Sequence, residues 1–301
     1  MELTIGIPAY NEEKNISEII QKLQKITTKI IVCDDGSTDS TGDIAKEMGA
    51  LVIQHKKNLG YGAAIRSIFL KAREEKSKFL ITLDSDGQHR IEDIQNILEP
   101  LQTGKADLVI GSRFLNNDGK NVPLYRKIGI KILTKLANTS LEDNITDSQS
   151  GFRGYSEKII QTITPSESGM GVSNEILIKV SKQGFKIAEV PIIILYDGDT
   201  STHNPISHGS SVLMSTLKFI SIEHPLKFYG IPGSIFLAIG LVFLIYTVQL
   251  FTETRQILLS SGIIGISSII FGGIMLMSSI ILYSLVTVIR NKKIKKNITK
   301  S

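Results

Sequence analysis

Two stretches without a formal charge dominate what this chain can fold into. Phe228–Phe251 runs for 24 residues and Ile257–Ile289 for 33, with only Thr252-Glu253-Thr254-Arg255-Gln256 between them. As helices rising about 1.5 Å per residue they would cover about 36 Å and 50 Å, against about 30 Å of bilayer hydrocarbon. The first fits a span. The second must tilt, kink near Gly272-Gly273 or run past the membrane edge. The alternative is two buried helices of a soluble core, but such cores seldom hold uncharged runs of this length. Two spans leave both flanks on one side. The tail holds Arg290, Lys292, Lys293, Lys295, Lys296 and Lys300 and no acid, which places that side in the cytoplasm beside anionic head groups. Without these six charges the formal total of +5 becomes −1 for residues 1–289, so the body does not read as a nucleic-acid binder.

The expected organisation is a cytoplasmic body at 1–205, a juxtamembrane helix at 206–227, two transmembrane helices at 228–289 and a basic cytoplasmic tail at 290–301. No signal peptide is expected ahead of Met1-Glu2-Leu3-Thr4, which leads straight into a strand. Cys33 is the only cysteine, which excludes an intrachain disulfide framework and a Cys-rich zinc site. In the body, Leu3–Pro8, Lys29–Cys33, Leu51–Gln54, Phe79–Leu83 and Leu108–Ile110 read as buried strands. Between them Glu13–Ile26, Ser40–Met48, Gly62–Glu74 and Ile91–Leu101 have helical spacing. This alternation predicts an α/β fold, with a mostly parallel sheet covered on both faces and ligands beyond the carboxyl ends of its strands.

The informative polar residues fall at those ends. Leu83-Asp84-Ser85-Asp86-Gly87-Gln88 delivers two carboxylates, one residue apart, onto a loop. Carboxylates are hard oxygen ligands suited to Mg²⁺ or Mn²⁺, and a divalent cation stabilises a departing diphosphate. Gln88 adds a candidate carbonyl ligand. Pro8-Ala9-Tyr10-Asn11-Glu12 ends the first strand and opens a helix, whose N-terminal amides favour anions. Asp34 and Asp35 end the second strand, where carboxylates accept from base N–H groups or ribose hydroxyls. Asn58-Leu59-Gly60-Tyr61-Gly62 makes a glycine-rich approach to a helix, with Arg66 one turn in.

The ordered set PAYNE, DDGSTD, NLGYGAAIR, DSDGQH, GSRF and DSQSGFRGYS resembles family 2 glycosyltransferases of the GT-A fold. More narrowly it resembles the polyprenyl-phosphate group: dolichyl-phosphate mannose or glucose synthases and bactoprenol glucosyltransferases. The resemblance runs from about Leu3 to Tyr196. It implies that Pro8, Tyr10, Glu12 and Asp35 hold the nucleoside, and that Asp84, Asp86 and Gln88 form the metal and diphosphate site; Asp34 and Arg66, by their place in the strand end and the glycine-rich turn, join the nucleotide-sugar candidates. Arg113 matches an arginine beside the donor phosphates; with Asp86 it is the catalytic expectation. Arg126, Ser150 and Glu175 fall on the acceptor side.

The chain departs from its relatives at three places. Ile130 stands where relatives often carry a serine, and Ser173-Asn174 replace an aromatic-acid pair before Glu175. No Arg or Lys lies between Lys186 and Lys218, where relatives carry an arginine and a Ser-Lys pair; His203 and His208 are the candidate substitutes. Val122–Leu141 sets Arg126, Lys127, Lys131 and Lys135 among leucines and isoleucines, a pattern suited to the membrane interface, as is Ser210–Ile222. A lipid monophosphate, with a second pKa near 6 by analogy with phosphorylated side chains, is already ionised at neutral pH and needs no general base. The expected activity is therefore metal-dependent, inverting hexose transfer from UDP-glucose or GDP-mannose to polyprenyl phosphate. Transfer to a protein or glycan hydroxyl, with Asp147 or Glu175 as base, is the enzymatic alternative. A non-catalytic nucleotide-sugar binder is the other. Association of copies through the spans is left open.

Overall fold

The computed structural model describes residues 3–115, 122–139, 141, 144–194, 217, 221, 225–255 and 258–298. The chain divides into two compact units, Met1–Thr216 and Leu217–Ser301. That division falls inside the expected juxtamembrane segment, most of which lies outside the described residues.

The first unit carries β1 (Leu3–Ala9), α1 (Ile16–Leu23), β2 (Ile30–Asp34), α2 (Thr41–Glu47), β3 (Leu51–Gln54), α3 (Tyr61–Glu74), β4 (Phe79–Thr82), α4 (Ile94–Gln102) and β5 (Leu108–Ser112). After these come α5 (Leu124–Asn138), β6 (Arg153–Ser156), α6 (Glu157–Thr162), α7 (Val172–Lys182) and β7 (Ile187–Pro191). The sheet runs β3-β2-β1-β4-β6-β5-β7. Every neighbouring pair is parallel except those involving β6, which lies antiparallel between β4 and β5.

Strand residues alternate between the two faces. Leu3, Ile5 and Ile7 share one core with Ile16, Ile20 and Leu23 of α1 and Ile94 and Ile97 of α4. Ile31, Leu80, Leu108 and Ile110 share the other with Ile65, Ile68 and Phe69 of α3 and Ile176 and Leu177 of α7. The α1 positions recur at one-turn spacing, so one helical stripe is buried.

The chain order reverses between β1 and β4, which creates the crevice where open α/β sheets bind ligands. β1 reaches past its partner there: the last β1–β4 pair is Gly6 with Thr82, while pairing to β2 continues through Ala9. Pro8 therefore sits where β4 no longer asks for a backbone donor.

In α5, Ile130, Leu133, Thr134 and Ala137 are buried against the unit itself, while Ile128 and Ile132 are 53% and 58% exposed. Ile130 packs with Phe114 and Val122, so at this position the chain builds core.

The second unit is a helical hairpin of α8 (Ile231–Thr254) and α9 (Leu259–Ile298). Both contain segments long and apolar enough to cross a membrane, and these are almost wholly exposed. The helix α9 is unbroken at Gly272-Gly273 and continues past Ile289 to Ile298. Arg255 ends α8 in a left-handed conformation (φ 55°). The helices meet along a seam of small residues seven apart. A side chain at Gly240 would stand 2.8 Å from the Gly265 carbonyl, and one at Gly272 would stand 2.7 Å from the Gly233 carbonyl. Thr247 and Ser261 hydroxyls pair across it at 2.8 Å.

Candidate functional site

Strand ends and tight turns build the site, and most of its polar atoms are fixed by the chain itself. After β1, Asn11 takes a left-handed conformation (φ 55°) and its amide donates to Ser37 Oγ at 2.9 Å. The next two amides donate to Thr41 Oγ1 at 2.8 Å and Asp39 Oδ2 at 3.2 Å. The helix opening expected to favour an external anion thus has its own, Asp39. Glu12 is part-buried, with Asn15 donating to its carboxylate at 2.8 Å. Burial, then the charges of Asp86, Asp39 and Asp84, push its carboxyl above the usual range against that bond. Tyr10 stands half-buried at the same strand end.

Asp34, the last residue of β2, and Asp35, the next, are both buried. Asp34 accepts the Ser37 amide at 2.9 Å and the Gln54 side chain at 3.4 Å. Asp35 accepts the Leu59 and Gly60 amides at 3.0 and 2.8 Å and meets His55 Nδ1 at 2.6 Å. At the start of α3, the Gly62 and Ala63 amides donate to the Ser168 carbonyl at 2.8 and 3.3 Å. Arg66 points to the same turn, its Nη2 lying 3.3 Å from Ser168 Oγ.

Asp84 and Asp86 follow β4 into the crevice, both half-buried. The Tyr61 hydroxyl donates to Asp84 Oδ1 at 3.1 Å, and His89 Nε2 stands 3.4 Å from Oδ2. Burial raises the Asp84 carboxyl, but His89, the Tyr61 hydrogen bond and the charge of Arg113 outweigh it and hold the group below the usual carboxylate range. Asp86 goes the other way, raised by burial and then by the charge of Asp84. Its Oδ1 accepts the Gln88 backbone amide at 3.0 Å. Gly151 closes the floor: a side chain there would begin 2.7 and 2.8 Å from the Asp84 oxygens and 2.8 Å from the Tyr61 hydroxyl.

Among the described residues, no cluster of three or more His, Cys, Asp and Glu side chains is arranged to hold a metal ion. The observed donors are an ionised carboxylate beside a second one that it raises. They fit a hard divalent cation that takes its remaining ligands from substrate oxygens and water. Asp84 and Asp86 would hold such an ion. For Gln88 the structure shows its backbone on Asp86.

Arg113, just beyond β5, is clamped side-on. Its Nε and Nη2 donate to the two oxygens of buried Asp147 at 2.6 and 2.7 Å. Glu189 of β7, which the sequence did not single out, accepts the Asp147 and Thr146 amides at 3.0 and 2.8 Å. Arg153 was likewise missed as a structural element. It is fully buried and donates to the carbonyls of Ser148, Ser150 and Ser173 at 2.6, 2.8 and 2.7 Å. The Ser150 hydroxyl is buried with no hydrogen-bond partner among the described residues. Glu175 is also buried. Its oxygens take the Ser166 and Glu167 amides, the Ser166 hydroxyl and the Lys179 ammonium, the last at 2.6 Å. Of Arg126 only the backbone, in the first turn of α5, is described, and His203 and His208 lie outside the described residues. Next to the Arg113–Asp147 pair a cavity of about 520 Å³ is lined by Phe114, Lys131, Thr134, Lys135, Asn138 and Thr146, among others.

The family model described as Glycosyl transferase family 2 matches residues 4–164. A Methanocaldococcus jannaschii protein described as uncharacterized is 38% identical over 221 residues, covering 70% of this chain and 87% of its own. UDP-N-acetylglucosamine–dolichyl-phosphate N-acetylglucosaminyltransferase of Methanococcus voltae is 32% identical over 229 residues, covering 69% of this chain and 89% of its own. Among solved structures, glucosyl-3-phosphoglycerate synthase of Mycobacterium tuberculosis, crystallised with Mn²⁺ and UDP-glucose, superposes with a TM-score of 0.57. It covers 73% of this chain and 78% of its own at 22% identity, a likeness of fold. The crevice acids, the β1–β4 reversal and a family match spanning both lead to one assignment: this chain belongs to glycosyltransferase family 2, with a GT-A catalytic unit.

Proposed function

We propose that this glycosyltransferase moves a hexose from a nucleotide sugar, UDP-glucose or GDP-mannose, directly onto polyprenyl phosphate at the cytoplasmic membrane face, inverting the anomeric centre. The observation that carries the reading is the Asp84–Asp86 pair at the β1–β4 crevice, ionised at Asp84 and backed by Tyr61, His89 and Gly151. Mg²⁺ or Mn²⁺ bound there would screen the diphosphate as it leaves. The solved neighbour's Mn²⁺ and UDP-glucose, and the Methanococcus relative's dolichyl-phosphate acceptor, point the same way. That relative adds UDP-N-acetylglucosamine to the donors worth testing.

The chain's own groups act by position and charge. Tyr61 and His89 orient Asp84. Asp147, itself held by Glu189, fixes the Arg113 guanidinium, whose charge already acts on Asp84. The candidate bases for a hydroxyl acceptor are committed elsewhere: Asp147 to Arg113, and Glu175 to Lys179 and the 166–167 turn. A phosphate acceptor needs no base, since it arrives ionised. Lys131 and Lys135, lining the cavity beside Arg113–Asp147, offer positive charge that the stretch between Lys186 and Lys218 lacks. The apolar hairpin supplies the membrane attachment such an acceptor demands.

The test is the full chain in detergent, given labelled UDP-glucose, UDP-N-acetylglucosamine or GDP-mannose and a short polyprenyl phosphate, and scored by lipid-linked product. Product is expected from one donor, lost in EDTA and restored by Mg²⁺ or Mn²⁺. Asp86→Ala should lower turnover by about 10³-fold or more while the variant stays folded. No lipid-linked product from any donor, or full turnover in EDTA, overturns the reading.

A further inference from the structure

His55, the first residue after β3, closes a line of hydrogen bonds beneath the donor edge of the sheet. Its Nδ1 meets Asp35 Oδ1 at 2.6 Å and its Nε2 meets Ser67 Oγ, in α3, at 2.8 Å. The order Ser-His-Asp is that of a nucleophilic triad. The surroundings exclude that use. Ser67 lies well inside α3, where backbone amides are consumed by the helix, so no amide pair stands beside it to hold an oxyanion. The other candidate nucleophile is Cys33, whose Sγ lies 3.7 Å from His55 Nε2. Burial and then the charge of Asp35 push its thiol up to about 12, so it stays protonated.

What the line does hold is Asp35. Oδ1 takes both His55 and the Leu59 amide, whereas among the described residues Oδ2 takes the Gly60 amide alone. Oδ2 therefore has one protein donor for two lone pairs. The residue after Gly60 is Tyr61, the hydrogen-bond donor to Asp84. A single carboxylate thus ties the β2 turn to the turn that orients the crevice acid, and among the described residues His55 is the only side chain gripping it.

We propose that His55 is a positioning residue of the donor site: it fixes Asp35 so that the second lone pair of Oδ2 meets a nucleobase N–H, and with Asp35 it fixes the Leu59–Tyr61 turn. This rests on the nucleotide-sugar reading above. It differs from that reading in needing neither acceptor nor turnover to be tested.

UDP and GDP, each with Mn²⁺, are titrated calorimetrically into the full chain in detergent without acceptor. His55→Ala should weaken the nucleotide that binds by about tenfold or more, the effect of losing a hydrogen bond to a buried charge. His55→Asn keeps an amide N–H near the place of Nδ1 and should restore affinity to within about threefold. His55→Gln directs its amide toward Ser67 instead and should not. A purely structural role would lower the melting temperature of Asn and Gln variants alike and leave both affinities at the wild-type value. If the alanine variant does not fold, the Asn–Gln contrast decides. Equal affinities for wild type, His55→Gln and His55→Asn overturn the proposal. A wild-type chain that binds neither nucleotide overturns the donor reading itself. One that binds nucleotide but makes no lipid-linked product overturns only the acceptor.

Discussion

The catalytic unit and the apolar hairpin both rely on a missing Cβ, and the two uses differ. At Gly151 the absent side chain leaves room for chemistry: the neighbours are the Asp84 carboxylate and the Tyr61 hydroxyl, both side-chain atoms that can move. At Gly240 the neighbours are the Ile269 side chain at 2.6 Å and, behind it, the Gly265 carbonyl and the Ile269 amide at 2.8 and 2.9 Å; the last two are backbone and cannot give way cheaply. An added methyl in the first place displaces a functional group while leaving the fold intact. In the second it forces two helices apart. Close approach therefore sets geometry in one unit and adhesion in the other, as small-residue interfaces do where no hydrophobic force separates helix from lipid.

The largest effect expected from this contrast is at Gly151. Gly151→Ala places a carbon under 3 Å from both Asp84 oxygens, so the carboxylate must swing off its Tyr61 and His89 partners. A displacement on the order of 1 Å at a reacting centre costs about 10²-fold. The expected result is about that loss in kcat/KM for lipid-linked product, with the melting temperature close to wild type. Turnover within threefold of wild type would show that Asp84 tolerates the shift, and the floor would then have no functional role.

The converse substitution lies in the hairpin. Gly240→Leu should leave turnover of the solubilised enzyme within about threefold while opening the seam. The readout is a crosslink between Thr247→Cys and Ser261→Cys, whose parent hydroxyls are 2.8 Å apart. Crosslinking should be efficient with Gly240 and fall about tenfold with leucine, equivalent to about 1.4 kcal/mol. An unchanged crosslink would mean that the seam is not what joins the helices.

The same contrast explains what the sequence disclosed. The parallel strands, the crevice acids and the apolar helices were legible because each is written in a contiguous pattern: an apolar run, then a polar turn. Four-residue β6 was not, because Arg153-Gly154-Tyr155-Ser156 carries no apolar run and becomes a strand only by pairing Tyr155 with both Leu80 and Leu108. Glu189 and His55 escaped notice because their partners are distant: Glu189 reaches Thr146 and His55 reaches Asp35; Arg153 binds backbone carbonyls, of Ser148, Ser150 and Ser173, which residue types do not signal. Arg66 and Glu175 were expected to face ligands; the described contacts of Arg66 are with Ser168, and those of Glu175 with the 166–167 turn and Lys179. The hairpin seam was hidden for another reason. Its small residues recur every seven positions, 233 and 240 against 265 and 272, which differs from the four-residue spacing usually sought.

Glu175 offers the finest test of the comparison, because it makes one close approach in the catalytic unit depend on a charge. A side chain at Gly62 would run into the Glu167 carbonyl and stand 2.7 Å from the Gly169 carbonyl, so the 166–169 turn lies directly on the start of α3. Glu175 holds that turn through the Ser166 and Glu167 amides at 2.9 and 2.8 Å. Burial raises its carboxyl, but Lys179, the Ser166 hydroxyl and the Glu167 amide together hold it below the usual range. A group whose folded pKa is depressed stabilises fully above its unfolded pKa, about 4.3, and loses that contribution as pH falls through the folded value. Glu175→Gln should therefore cost about 1–2 kcal/mol at pH 7, or roughly 2–8 °C in melting temperature. The difference between wild type and variant should narrow as pH drops below about 4.3, with wild type losing the advantage. The hairpin seam joins uncharged groups, so the melting difference between wild type and Gly240→Leu should show no matching transition over that interval. A melting difference that stays constant down to pH 3 would place the role of Glu175 in its shape and not in its charge.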